Sequence, residues 1–105
     1  MAANPKPRID DPTPISINGV TPNPKNAEIG SDGSIQFTST DGCTIEWEDE
    51  HGKKNTYWSP QPGSVNSGSN DPQSPLTPAK GHTLKYTLDN GSATQGGGTV
   101  KVGSN

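Results

Sequence analysis

The residues best suited to chemistry in this 105-residue chain are the acidic run Glu46, Glu48, Asp49 and Glu50 with His51 beside it, a second histidine, His82, and a single cysteine, Cys43. Carboxylates next to imidazoles are what a cation site uses, and Glu48, Glu50, His51 and His82 are the ligands the sequence could offer. A hard cation, however, needs several oxygens converging at about 2.3–2.6 Å, whereas a strand spreads alternate carboxylates along one face. The run therefore reads as a solvated strand face balanced by Lys53 and Lys54. Cys43 and His51 would lie roughly 26 Å apart on an extended strand, too far to share an ion. His82 has neither a second histidine nor a nucleophile spaced with it, so it reads as an exposed residue where a strand begins. Cys43 is in phase with Ile45 and Trp47 and reads as a small buried hydrophobe.

No EF-hand loop and no GxxxxGK[ST] phosphate loop is present, and the glycines before Thr99 do not open a helix. Asn90-Gly91-Ser92 fits a glycosylation acceptor, but Asp-Asn-Gly-Ser is also a tight turn, and the turn is the preferred reading. No catalytic set assembles. The chain reads as a non-enzyme with no cofactor.

The elements that must carry these residues are short strands. Only 24% of the chain is hydrophobic, yet the apolar residues fall at every second position in Ile35-Phe37, Cys43-Ile45-Trp47, Leu84-Tyr86-Leu88 and Val100-Val102. This is the two-residue period of a half-buried strand. Strands are predicted near Ile15–Ile17 and Ala27–Ile29, then over 34–38, 43–49, 54–58, 83–88 and 99–102. No segment has a helical period. A hairpin about His51-Gly52 would pair Glu50 with Lys53, Asp49 with Lys54, Trp47 with Thr56 and Ile45 with Trp58, leaving Tyr57 on the outer face. A four-residue turn is the alternative.

Four prolines between residues 5 and 14 predict an extended tail over 1–14 leading into one domain, 15–105. Residues 59–78 form a Pro/Ser/Gly-rich connection that only Val65 and Leu76 could pin down, and it is expected to be a long mobile loop. The sequence ATQGGG, 93–98, reads as a flexible connector.

Leu, Ile, Val and Phe total only fourteen residues, so the core must be thin and the two tryptophans and two tyrosines must supply much of its burial. Eight basic against eleven acidic residues give no footprint for a phosphate backbone, which argues against nucleic acid. No apolar run approaches a membrane span, and membrane insertion is not expected. A lone cysteine and a start without an apolar leader leave the compartment open between cytoplasm and a secreted or periplasmic location.

The run PNPKNAEIGSDGSIQFTSTDGCTIEWED, with its prolyl lead into a strand, glycine turn and following strand, resembles the opening of cupredoxin-like domains. The closing GGGTVKVG is similar to their last strand, and the likeness covers about residues 15–102. It implies an antiparallel Greek-key β-sandwich, cupredoxin-like or, as the runner-up, immunoglobulin-like. It also implies a missing copper site. The family holds copper with two histidines and a cysteine, the latter near the final hairpin; that region, LDNGSATQGGG, has no Cys, His or Met.

The expected function is that of a non-catalytic binding or structural module with an unidentified partner, a protein being the first candidate. Contacts are expected from the 59–78 loop and the face near it: Tyr57, Val65, Asn66, Asn70 and Asp71. The alternative is a metal-binding protein of the same fold.

Overall fold

Alternation builds the molecule, of which the computed structural model describes residues 12–92 and 94–104. β1 (Thr13–Asn18) buries Ile15 and Ile17, β4 (Ile35–Ser39) buries Ile35 and Phe37, and β5 (Cys43–Glu48) buries Cys43, Ile45 and Trp47. β10 (Thr83–Asp89) buries Leu84, Tyr86 and Leu88, and β11 (Gly96–Val102) buries Val100 and Val102. Successive side chains of a strand point to opposite faces, so each strand delivers one row to the core. Six shorter strands complete the set: β2 (Thr21–Asn23), β3 (Asn26–Ile29), β6 (Trp58–Ser59), β7 (Ser64–Val65), β8 (Gly68–Ser69) and β9 (Ser74–Pro75). A 3-10 turn spans Thr77–Ala79.

The strands form a four-stranded sheet, β2-β1-β4-β8, a five-stranded sheet, β3-β11-β10-β5-β7, and the small pair β6-β9. This is the small all-β sandwich that the alternation predicts, with mostly antiparallel pairing. Two pairs, β1 with β4 and β3 with β11, are parallel. Register aligns the core rows across the larger sheet: Ala27, Val100 and Leu84 in one, Gly98, Tyr86 and Trp47 in the next, Leu88 and Ile45 beyond. Phe37 from the other sheet meets Trp47 and Tyr86 with ring centroids 6.2 and 5.4 Å away, and Trp58 lies 5.1 Å from Trp47. The aromatic residues fill the centre, as the shortage of aliphatic ones requires. Trp47 Nε1, Trp58 Nε1 and Tyr86 Oη are buried there without a hydrogen-bond partner among the described residues.

Several local expectations differ from the structure. The strand over 54–58 and its hairpin register do not form. β5 takes β10 along one edge and β7 at Cys43 and Thr44 on the other, while Trp58 pairs with Pro75 of β9 and not with Ile45. The chain turns instead through Asp49, whose Oδ1 accepts the N–H groups of His51 at 2.8 Å and Lys53 at 2.9 Å, and Asp49 N–H donates to Lys53 O. Gly52, with φ of 78°, takes the left-handed position, so the longer turn is the one found. Lys54 pairs with Glu46 at 3.3 Å and not with Asp49.

Tyr57 is 1% exposed, not on an outer face. Residues Tyr57 and Trp58 are both buried, against the alternation of a half-buried strand, and strand pairing begins only at Trp58. Tyr57 Oη donates to Lys53 O, closing the turn from within.

The 59–78 segment is not a free loop. Its β7 joins the five-stranded sheet, its β8 joins the four-stranded one, and Gln73 exchanges backbone hydrogen bonds with Ile35. Val65 is buried and pins it; Leu76 is exposed and does not. At the N-terminus β1 starts at Thr13, within the stretch expected as tail, while residues 1–11 of that tail lie outside the described residues.

The expected connector ends in a strand. Gly96, Gly97 and Gly98 pair with Leu88, Thr87 and Tyr86 of β10. A Cβ on Gly96 would overlap Val20 O, one on Gly97 the carbonyl of Tyr86, and one on Gly98 Lys25 O. Glycine here allows backbones to touch rather than to flex.

The two outer faces differ in charge. The five-stranded sheet presents Glu28, Lys85, Lys101, Glu46 and Glu48, with Lys85 registered against Glu48 and Lys101 4.0 Å from Glu28. The four-stranded sheet presents only uncharged residues, among them Ser16, Asn18, Asn23, Gln36 and Thr38.

Candidate functional site

Where the chain passes from β7 in one sheet to β8 in the other, it cannot cover the edge of the sandwich, and a cavity of about 260 Å³ opens. Its floor is Phe37 and Ile45, one from each sheet, and its walls are Pro60, Pro62 and Val65. Around these lie Asn66, Asn70, Asp71 and Gln73. Four residues expected from the sequence, Val65, Asn66, Asn70 and Asp71, therefore converge on one cavity. Tyr57 does not line it.

The roles within the set differ. Asn70 is the strut: its Oδ1 accepts Asn66 N–H at 2.8 Å, its Nδ2 donates to Asn66 O, Gly68 O and Phe37 O, and its backbone N–H donates to Phe37 O at 2.9 Å. Gln36 Nε2 donates to Asn70 O at 2.8 Å from the neighbouring strand. Gln73, buried, ties the far wall by donating from Nε2 to Pro60 O at 3.0 Å. Bonds of this kind hold an irregular backbone in one shape, which a binding surface requires. The Asp71 carboxylate and the Asn66 side-chain amide are exposed and have no hydrogen-bond or ion-pair partner among the described residues.

A second depression adjoins the first and shares Ser64, Val65 and Asn66 with it as a common wall. It is bounded by Asp41, Gly42 and Cys43 on one side and by Asp89, Asn90 and Gly91 on the other. Asp89 is held below the usual carboxylate range by the Gly91 N–H at 2.8 Å and by Gln95. Asn90 Oδ1 accepts Ser92 N–H, so Asn90-Gly91-Ser92 is a turn. Cys43 is buried, and burial pushes its thiol up.

The histidines lie elsewhere. His51 is exposed on the turn after β5, and His82 precedes β10. Glu50 reaches across to His82 Nδ1 with one oxygen and accepts Thr83 N–H at 2.9 Å with the other. These bonds, the one from Thr83 foremost, draw the Glu50 carboxyl down to about 2. Asp49, Glu50 and His82 have ligand atoms within 4.8 Å of one another. Of the metal ligands expected from the sequence, only Glu50 and His82 meet; Glu48 and His51 do not join them, and neither does Cys43.

Gln73, Phe37 and the two acidic residues Asp41 and Asp89 were not legible as site residues. Phe37 and Ile45 carried one usable signal, an inward phase on different strands, but nothing local in the sequence told where the sandwich would be open. Among the described residues no helix is long and apolar enough to cross a membrane. Compared with protein-family models, with curated proteins and with solved structures, the chain matches none.

Proposed function

We propose that the protein is a non-catalytic binding module whose ligand sits in the cavity beneath residues 60–73. The observation that carries this reading is the combination of an apolar floor from both sheets with polar groups that are not used up by the fold. Asn70 and Gln73 are spent on holding the walls, while Asp71 and the Asn66 side chain face the cavity without partners among the described residues. Concave sites with apolar walls and a few placed polar groups are the usual form of a binding site. Resemblance to cupredoxin-like domains enters this reading as organisation only, since residues 88–98 contain no Cys, His or Met to hold copper.

The test is a titration of the isotope-labelled chain, followed through the side-chain amide resonances of Asn66, Asn70 and Gln73. Probes are a lysine-rich peptide, a glutamate-rich peptide, a neutral oligosaccharide and calcium chloride. One class should shift these three amides selectively. If every probe leaves them unmoved, the reading is wrong.

A second reading, metal binding, is favoured by the approach of Asp49, Glu50 and His82. Against it stands the engagement of both Glu50 oxygens in hydrogen bonds. A cation held by the folded state alone raises the melting temperature. Melting curves unchanged by zinc, copper and calcium would remove this reading.

A further inference from the structure

In the cavity beneath residues 60–73 the fold uses the donors of the lining amides and leaves acceptors. Asn70 Nδ2 is spent on Asn66 O, Gly68 O and Phe37 O, and Gln73 Nε2 on Pro60 O. Gln73 is only 4% exposed, and its Oε1 accepts no hydrogen bond from the described residues. That oxygen is not among the side-chain atoms sealed in the core without a partner, so it opens onto the cavity that Gln73 lines. A nearly buried amide oxygen with no protein partner is a place for a ligand's donor.

Asp71, two residues earlier, lines the same cavity at a break in the strand pairing. Gln73 exchanges backbone hydrogen bonds with Ile35, and Asn70 N–H donates to Phe37 O, so residues 70–73 run opposite only 35–37 of β4. The extra residue makes a bulge at Asp71-Pro72, and bulges re-aim side chains. No lysine, arginine or histidine among the described residues lines the cavity to neutralise Asp71. Two features limit the size of what enters. At about 260 Å³ the cavity falls below the roughly 300–1,000 Å³ of pockets for drug-sized ligands. The β7 edge beside it is closed, because the Asn70 side chain bonds both the N–H and the C=O of Asn66 and leaves no place for an extended chain to pair.

We infer that the cavity takes a small primary amine in its ammonium form, with the apolar part against Phe37, Ile45 and Val65 and the ammonium donating to Gln73 Oε1 and to the Asp71 carboxylate. The inference rests on the binding reading above and names a ligand class for it. An ammonium carries three donors and no acceptor, which suits a lining that offers acceptors. Its bond to a carboxylate is charge-assisted, and the apolar part gains by leaving water. An anionic ligand of the same shape meets Asp71 as a like charge and is refused.

The experiment titrates the isotope-labelled full chain, near neutral pH, with three ligands that share one ring: benzylammonium, benzyl alcohol and benzoate. Benzylammonium should shift the Gln73 side-chain amide and the Ile45 and Val65 methyl resonances and bind about tenfold more tightly than benzyl alcohol, while benzoate should leave them unmoved. Asp71→Asn should weaken benzylammonium about fivefold and leave benzyl alcohol as it was, with the melting temperature unchanged because Asp71 is exposed. Equal affinity for the amine and the alcohol, or amine binding indifferent to Asp71→Asn, would overturn the inference. Benzylammonium also joins the four probes of the binding reading as a fifth. If one of those four moves the cavity amides while benzylammonium does not, the inference falls and the binding reading survives. If none of the five moves them, both fall.

Discussion

Replacing Gly98 by alanine is the perturbation whose cost can be worked most directly from the structure. A Cβ at this position would stand 2.8 Å from Tyr86 Oη and 3.1 Å from Tyr86 Cζ, and it would overlap Lys25 O outright. Two relaxations are open, and each has a cost. Moving the Lys25 carbonyl breaks its bond from Thr99 N–H, 2.9 Å long, which is worth about 1 kcal/mol. Moving the Tyr86 ring disturbs its packing against Trp47 at 4.9 Å and Phe37 at 5.4 Å, and overpacking of this kind costs about 1–3 kcal/mol. Together these come to about 2–4 kcal/mol. For a domain of this size each kilocalorie lowers the melting temperature by about 4–8 °C, so a fall of roughly 8–32 °C is expected. Gly63→Ala is the control: a Cβ there meets nothing within 4 Å, and its φ is not positive. It should change stability by no more than about 0.5 kcal/mol. Urea denaturation of both variants reads the difference. A Gly98→Ala protein as stable as the Gly63→Ala control would refute the close-approach reading of 96–98.

Three further outcomes follow from the same structure. The Glu50 carboxyl lies lower in the folded chain, at about 2, than in the unfolded chain, near 4.5. Between those values the unfolded state binds the extra proton, so the stabilisation is complete above about pH 4.5 and is lost as pH falls toward 2; Glu50→Gln should flatten that part of the stability–pH curve. Tyr57→Phe removes the hydroxyl that donates to Lys53 O and should cost about 0.5–1.5 kcal/mol, read as a lowered urea midpoint with an unchanged slope. Cys43, buried and with its thiol pushed up, should react with a disulfide reagent far more slowly in the native chain than in urea, and rapid native labelling would contradict its placement in the core.

Much of the fold was legible because alternation is local. Ile15, Phe37, Ile45, Trp47, Leu84 and Val100 announce their strands and their inward faces from spacing alone. Pairing is not local, and that is where the expectation for residues 49–58 went astray. The charge matches that favoured a hairpin about His51-Gly52 were real attractions of small size, and they lost to the burial of Tyr57 and Trp58 together with the pairing of Trp58 to Pro75. The same limit hid the order of 59–78. Proline, serine and glycine supply little burial, so the composition suggested mobility, but Val65, Asn70 and Gln73 tie the segment to strands 20 to 40 positions earlier. Exchanging this whole segment for a glycine linker should therefore open both sheets, since β7 and β8 belong one to each.

For the candidate site, Asn66, Asn70 and Asp71 could be found because an oversized polar connection is a sound place to look for contacts. Their division into struts and free groups could not be found, since it depends on which backbone atoms Asn70 reaches.

The binding site exists only if residues 60–73 are a fixed wall rather than a tether. Backbone relaxation of the labelled chain measures this directly, on the picosecond–nanosecond scale where loops and strands differ. Heteronuclear NOE values for Ser64, Val65, Asn70 and Gln73 should equal those of β5 and β10. Values typical of a flexible chain at these four residues would contradict the cavity, and with it the site.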